Sequence, residues 1–420
     1  MTTPLKTLLP TLLLLSLGSG CSSEKTCASD EVLCSGTCVL LSSDLDNCGS
    51  CGRACSSGLS CQAGGCVDCL AHPAACTAAV VAACFETDDV RALGADLSYT
   101  EAPMTSLTPG SFAVLAGQLY VASNGGASVS SVDLADATAS MVASITGASD
   151  IEHLGVYGSL LYLSDATHAA FVAVDPATGV AGEVSLIAAS DVTPPSPEGF
   201  DFAHEKAYVA LAPQYGQTAP NAVAVVGLST TPPSPSAPVT RIDLTPYAAP
   251  GALPHASRVL AAADGKHVYV TLNDLDVNDE TVAGGHGRLV VIDTTADAVV
   301  GNAVDLGSAC LDPSAMVLDG TVLWVACGFY DYIGTKGLEG GGLVPVDLSG
   351  STPTVGKAIS APHALGSLAL CGGFLYAGAT ESGAVLKFDP TAANLVTSST
   401  TACPPAGSSG AFVSDLICAP

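Results

Sequence analysis

Six times along the chain a hydrophobic–aromatic–hydrophobic triplet is followed, after a gap, by an alternating apolar run that usually ends in aspartate. The triplets centre on Tyr120, Tyr162, Tyr208, Tyr269, Trp324 and Tyr376. The answering runs include Val129-Ser130-Ser131-Val132-Asp133, Phe171-Val172-Ala173-Val174-Asp175, Leu289-Val290-Val291-Ile292-Asp293, Leu343-Val344-Pro345-Val346-Asp347 and Val385-Leu386-Lys387-Phe388-Asp389. Alternation with a period of two is the mark of a half-buried strand. Repeats of about 40–50 residues built from short strands are the signature of a β-propeller. The pattern therefore predicts an all-β fold with a repeated four-stranded unit.

The ends of the repeat region supply one further unit. Residues 79–85, 90–97 and 102–107 read as strands B, C and D of an incomplete copy, and 410–417 read as its missing strand A. A blade assembled from both termini closes the ring without leaving a free sheet edge. The expectation is a seven-bladed β-propeller over residues 77–420, with six blades as the alternative if 79–107 is only a linker.

Cysteine positions fall in register with the same units. The chain has 17 cysteines. Ten of them (27, 34, 38, 48, 51, 55, 61, 66, 69 and 76) are crowded into residues 27–76. So short a segment has little core and depends on cross-links, so 27–76 is expected to form a small disulfide-rich module. Cys48-x-x-Cys51 and Cys66-x-x-Cys69 also match zinc-ribbon spacing, but an exported chain favours disulfides. Among the other cysteines, Cys310 precedes one repeat and Cys327 ends its aromatic strand. Cys403 holds the place of Cys310 at the end of the chain, and Cys84 ends the first strand of the domain. Cys310–Cys327 and Cys84–Cys403 are thus expected as equivalent bridges. Cys371 and Cys418 both end an inner-strand pattern, which makes them neighbours in adjacent blades.

Two resemblances rest on these motifs. Pro254-His255-Ala256, Pro313-Ser314-Ala315 and Pro362-His363-Ala364, taken with the tyrosine and aspartate positions, resemble the YVTN-type propeller repeat over about residues 78–418. The fourth repeat departs from it, with Gly227 where aspartate is expected. That resemblance implies a fold, because propeller scaffolds host many functions. The run Asn47-Cys48-Gly49-Ser50-Cys51-Gly52-Arg53-Ala54-Cys55 is similar to the NCGxCGxxC modules that precede larger domains in exported lipoproteins of myxobacteria-like bacteria.

Charge and the N-terminus narrow the setting. Of 420 residues, 12 are Lys or Arg and 39 are Asp or Glu, a formal net charge of −27. Such a chain repels nucleic acid, whose binding relies on cationic side chains, so no nucleic-acid partner is expected. Residues 1–20 read as a signal peptide, with Lys6 in a positive segment and 8–17 too short to span a bilayer. Leu17-Gly18-Ser19-Gly20-Cys21 resembles a lipoprotein cleavage site. Cys21 is then the lipidated residue, 21–26 a tether, and the lipid anchor the membrane contact. The expected location is the outer membrane or cell surface, with periplasmic or secreted as the alternative.

Candidate chemistry lies in the insertions. From the strand-B aromatic to the first apolar residue of strand C the spacing is 9 at Tyr120, Tyr162 and Tyr376, but 15, 20 and 19 at Tyr208, Tyr269 and Trp324. These connections, 212–222, 271–287 and 327–342, come from three consecutive blades and must leave one face together. Long loops on a rigid scaffold are where binding usually resides. Gln214 and Tyr215 in the first, and Phe329, Tyr330, Asp331 and Tyr332 in the third, are the candidates for a binding face. The middle one carries Asp274, Asp276, Asn278 and Glu280, oxygen ligands spaced as calcium binding requires. It lacks the EF-hand glycine and final glutamate, and a solvated acidic loop is the plainer reading. His153, His255 and His363 sit near the starts of inner strands, where they either line a channel metal site or fill a position tolerant of polar residues.

No Gly-x-Ser-x-Gly elbow or His-Glu-x-x-His is present. The function expected is a non-catalytic surface lipoprotein whose propeller binds a protein or glycan. The alternative is a metal-dependent, calcium-using hydrolase or lactonase with acidic residues and histidines at the channel mouth.

Overall fold

A computed structural model of the chain describes residue 27 and residues 32–41, 44–55, 60–62, 65–67, 78–85, 87–98, 104–105, 108–123, 127–134, 136–214, 216–230, 232–330, 338–399, 402–403 and 412–420. Among these are seven antiparallel sheets of four or five strands. Their first strands are Pro109–Leu115, Ile151–Tyr157, Ser196–Ala203, Ala256–Ala261, Ala315–Asp319, Leu365–Cys371 and Val413–Cys418. Each touches the next in that order, and the last touches the first. The sheets thus radiate from a closed ring of inner strands, the arrangement of a β-propeller.

Closure uses both ends of the chain. Val413–Cys418 pairs with Ala78–Cys84, which pairs with Asp89–Gly94 and then Met104–Thr105. Cys84–Cys403 bridges this join across a sequence separation of 319. Cys371–Cys418 links the sixth and seventh inner strands, and Cys310–Cys327 braces the fifth sheet. A chain so wired belongs in an oxidising compartment, extracellular or periplasmic. No helix among the described residues is long and apolar enough to cross a membrane.

The repeat phrase is core and turn. Tyr162, Tyr208 and Tyr376 are almost fully buried between neighbouring sheets, with Tyr120, Tyr269 and Trp324 nearly so. The aspartates that end the C strands hold the following turn: Asp293 Oδ1 accepts the N–H groups of Thr295 and Ala296, each at 2.8 Å. Asp175, Asp347 and Asp389 do the same for residues two positions on. Gly227, the exception, lies where a Cβ would meet the Pro238 ring at 3.2 Å.

The inner strands are tied to one another by polar groups as well as by packing. Asp415 Oδ2 accepts from Phe112 N at 2.8 Å and from Ser111 Oγ at 3.0 Å, linking the last blade to the first. Asp201 Oδ2 accepts from Ala261 N at 2.7 Å. Arg258 Nε donates to Ser314 O at 2.7 Å.

The N-terminal segment forms two small hairpins, Val32–Cys34 with Thr37–Val39 and Ser60–Gln62 with Gly65–Val67. Disulfides 27–38, 34–51, 48–61 and 55–66 overlap along it. The sulfurs of Cys48, Cys55 and Cys61 lie within 4.8 Å of one another, but all three are spent in these bonds. Residues 1–26, Cys69 and Cys76 lie outside the described residues.

Candidate functional site

In a radial meander the B–C and D–A connections leave the same face, and that face carries all three long insertions. Two differ from the loops read in the sequence. Within 271–287 the chain forms strands Leu275–Asp276 and Asp279–Ala283, which join Ala252–Leu253 in a three-stranded flap. In the fifth sheet, strands Val322–Tyr330 and Leu338–Asp347 extend well beyond the blade as a hairpin arm. The ladders continue into both insertions, through Leu275 opposite Ala283 in the flap and Phe329 opposite Glu339 in the arm, so they pair rather than loop.

Asp274 anchors the flap. Its backbone sits at φ +49°, its side chain is fully buried, and Oδ2 lies 2.8 Å from Arg288 Nε and accepts from Ala249 N at 3.0 Å. Burial pushes its carboxyl up to about 6 despite Arg288. Asp276 turns elsewhere: Oδ1 accepts from Asn278 N at 2.8 Å and caps its own turn. Glu280 lies in the outer flap strand, and its side chain lies outside the described residues. Among the described residues, no three His, Asp or Glu side chains bring ligating atoms within 4.8 Å of one another.

Gln214 lines a cavity of about 560 Å³ on this face, together with Ser149, Asp150, Thr167, Glu198 and His255. Tyr215, Asp331 and Tyr332 lie outside the described residues, as does the side chain of Tyr330. Phe329 is half-buried in the arm. Asn221 holds the cavity wall together, its Oδ1 accepting from His255 N at 2.9 Å and its Nδ2 donating to Thr218 O. Glu198 Oε1 accepts from Ser196 Oγ at 3.0 Å.

Beside this cavity opens the central channel, a space of about 230 Å³ lined by Glu152, His153, Arg258 and Asp415 among others. Its mouth, near the stacked rings of Phe85 and Phe412, is bordered by Glu152 and Arg258. Burial, then the neighbouring charges of Glu198 and Asp150, raises the Glu152 carboxyl well above the usual range. Burial pushes Glu198 up to about 7 and Asp312 up to about 6, although Arg258 opposes both. Burial also drives His153 down to about 3, which keeps it neutral. Crowded carboxyls with shifted protonation in a cleft are a functional-site signature. His363 stands apart, its Nδ1 2.6 Å from Glu381 Oε1 and 3.1 Å from Ser382 Oγ. Both partners address the same nitrogen, so the three do not form a serine–histidine relay.

Sequence reasoning reached His153, His255 and Gln214 but missed Asp150, Glu152, Glu198 and Arg258. The available signal was a charged residue at the second or third position of an otherwise apolar inner strand.

No family model matches the sequence, and no curated protein matches it. Solved structures do. A Bacteroides fragilis protein given the provisional name 6-phosphogluconolactonase aligns at TM-score 0.55 and 10% identity, over 81% of this chain and 97% of its own. A Bacteroides uniformis protein of the same provisional name gives TM-score 0.54 at 10% identity, over 76% and 94%. The fold is a β-propeller. Hydrazine synthase of Kuenenia stuttgartiensis aligns to the propeller at TM-score 0.51 and 17% identity, covering 67% of this chain and 76% of that one. At these identities the likeness is one of fold alone.

Proposed function

We propose that the chain is an exported lipoprotein, anchored through Cys21 at the outer membrane or cell surface. Its seven-bladed, YVTN-type propeller binds a protein or glycan partner on the face that carries the flap and the arm. One observation supports this above all: the cavity of about 560 Å³ walled by connections of successive blades at Thr167, Gln214 and Leu275. Its volume lies in the range of ligand sites, and its polar groups converge from separate elements. The test is affinity capture with a soluble form lacking residues 1–21, beside variants with 277–284 or 331–337 replaced by a short turn. Capture by the parent and its loss in the shortened forms is the expected result. Equal capture by all three would move the binding surface elsewhere.

A hydrolytic reading draws on the carboxyls of Asp150 and Glu198, which share one cavity and suit acid–base work. Metal analysis separates the two: a stoichiometric divalent ion lost in Glu198→Gln would favour the hydrolase.

A further inference from the structure

The cavity on the insertion-bearing face is lined by carboxylates but by no lysine or arginine among the described residues. Asp150 precedes the second inner strand, Glu152 lies in it, and Glu198 belongs to the third. Among the described residues, the guanidinium facing this group is that of Arg258, and its Nε is already committed to Ser314 O. Asp312 is desolvated by burial and also feels the charge of Arg258. Asp415 also faces Arg258, but spends its oxygens on Ser111, Phe112 N and Leu416 N. His153 is neutral, and His255 offers a ring at the cavity wall. The remaining polar lining at Ser149, Thr167 and Gln214 supplies neutral acceptors for N–H groups.

We propose that this cavity receives a basic side chain, lysine or arginine, presented by a protein partner. The inference rests on the reading of this face as the binding face. Burial holds a proton on the Glu198 carboxyl, and the nearby charge of Asp150 adds to the effect, so these carboxyls resist carrying charge together. An ammonium or guanidinium placed among them takes over the proton's role: the protons leave and charge-assisted hydrogen bonds form. The cavity accommodates a long side chain with its water. The excess of 39 acidic over 12 basic residues steers such a partner toward the protein.

Calorimetry on the form lacking residues 1–21 tests this, with short Gly/Ser peptides carrying a single lysine, arginine or norleucine at millimolar concentration. The lysine and arginine peptides are expected to bind with proton release, and about tenfold more tightly at pH 8 than at pH 5.5, because Glu198 ionises near 7. The norleucine peptide is expected to give no heat. Glu198→Gln and Asp150→Asn are expected to weaken binding at least tenfold. Glu183→Gln, on the exposed outer strand of the second sheet, is expected to leave it unchanged. At pH 8, where Glu198 is ionised, Glu198→Gln removes a like charge, so its melting temperature there is expected to equal or exceed the parent's, which separates lost binding from lost folding. No heat from the cationic peptides, equal binding of norleucine, or an equal loss in Glu183→Gln would each overturn the proposal. So would displacement of the lysine peptide by calcium ions that themselves bind only when Glu198 is present. If loop-dependent capture survives while the peptides fail, this inference falls and the binding face stands.

Discussion

Asp389 accepts the N–H groups of Thr391 and Ala392 at 2.8 and 2.9 Å, and its equivalents in other blades do the same work. Asp389→Ala should therefore lower stability by about 1 kcal/mol, read from urea unfolding, because such bonds contribute about that much net. Asp274 should matter more. Asp274→Ala leaves Arg288, only 22% exposed, without its carboxylate, and a loss of about 2–3 kcal/mol is expected from breaking a largely buried pair. The buried carboxyls near Arg258 act in the opposite direction. A carboxyl raised from 4.5 to about 7 in the folded chain holds its proton more tightly there than when unfolded. Its contribution is thus greatest below the unfolded value and is lost as pH rises through 7. Glu198 and Asp312 together contribute about 2 kcal/mol more at pH 6 than at pH 8, and after the smaller opposing effect of His153 the protein should be about 1 kcal/mol more stable at pH 6, measured by melting or denaturant titration. Neutral His153 reverses the trend below its ordinary value of 6.5, since unfolding then lets it take up a proton. The capping aspartates were readable in the sequence because they recur. Glu152, Glu198 and Arg258 were harder to read, because the second or third inner-strand position they occupy holds different residues from blade to blade, serine at Ser111 and Ser367.

Strands were the most legible elements, and the insertions the least. The inner strand of the seventh sheet was expected at 410–417 and is observed at Val413–Cys418, paired with Ala78–Cys84 as the cysteine register implied. The insertions misled because length and acidity alone suggested loops. Leu275 and Leu253 instead pair across the flap, and both are buried, at 7% exposure. Leu275→Ala should cost about 2–3 kcal/mol in urea unfolding, the usual range for a truncated buried leucine. It should also enlarge the cavity that Leu275 walls, and so loosen any ligand held there.

At the scale of the whole molecule, the bridges differ in what they constrain. Cys310–Cys327 closes a span of 17 residues, whereas Cys84–Cys403 closes 319. Loop-entropy arguments give about 3 kcal/mol for the short span and about 6 for the long one as upper figures. The double variant Cys84→Ser/Cys403→Ser should thus lower the melting temperature more than Cys310→Ser/Cys327→Ser. It should also raise amide exchange first in Ala78–Cys84 and Val413–Cys418, where the two ends meet. Gly383 should share that sensitivity. Its backbone at φ +62° passes so close to the Cys403 carbonyl that any Cβ would collide, and Cys403 N donates to Gly383 O at 2.9 Å.

The split blade also imposes an order on biogenesis. Strand Ala78–Cys84 is made before six further sheets, yet its bridge partner Cys403 follows 319 residues later and its inner strand later still. During export, therefore, six sheets can form while the ring stands open and Cys84 waits as a free thiol in an oxidising space. Nearby stand the cysteines of 27–76, which emerge first and compete for it. Correct pairing depends on that thiol being kept available, or returned, until Cys403 arrives. Oxidation faster than translocation should trap Cys84 in the wrong bond, and a disulfide isomerase should raise the yield of closed protein.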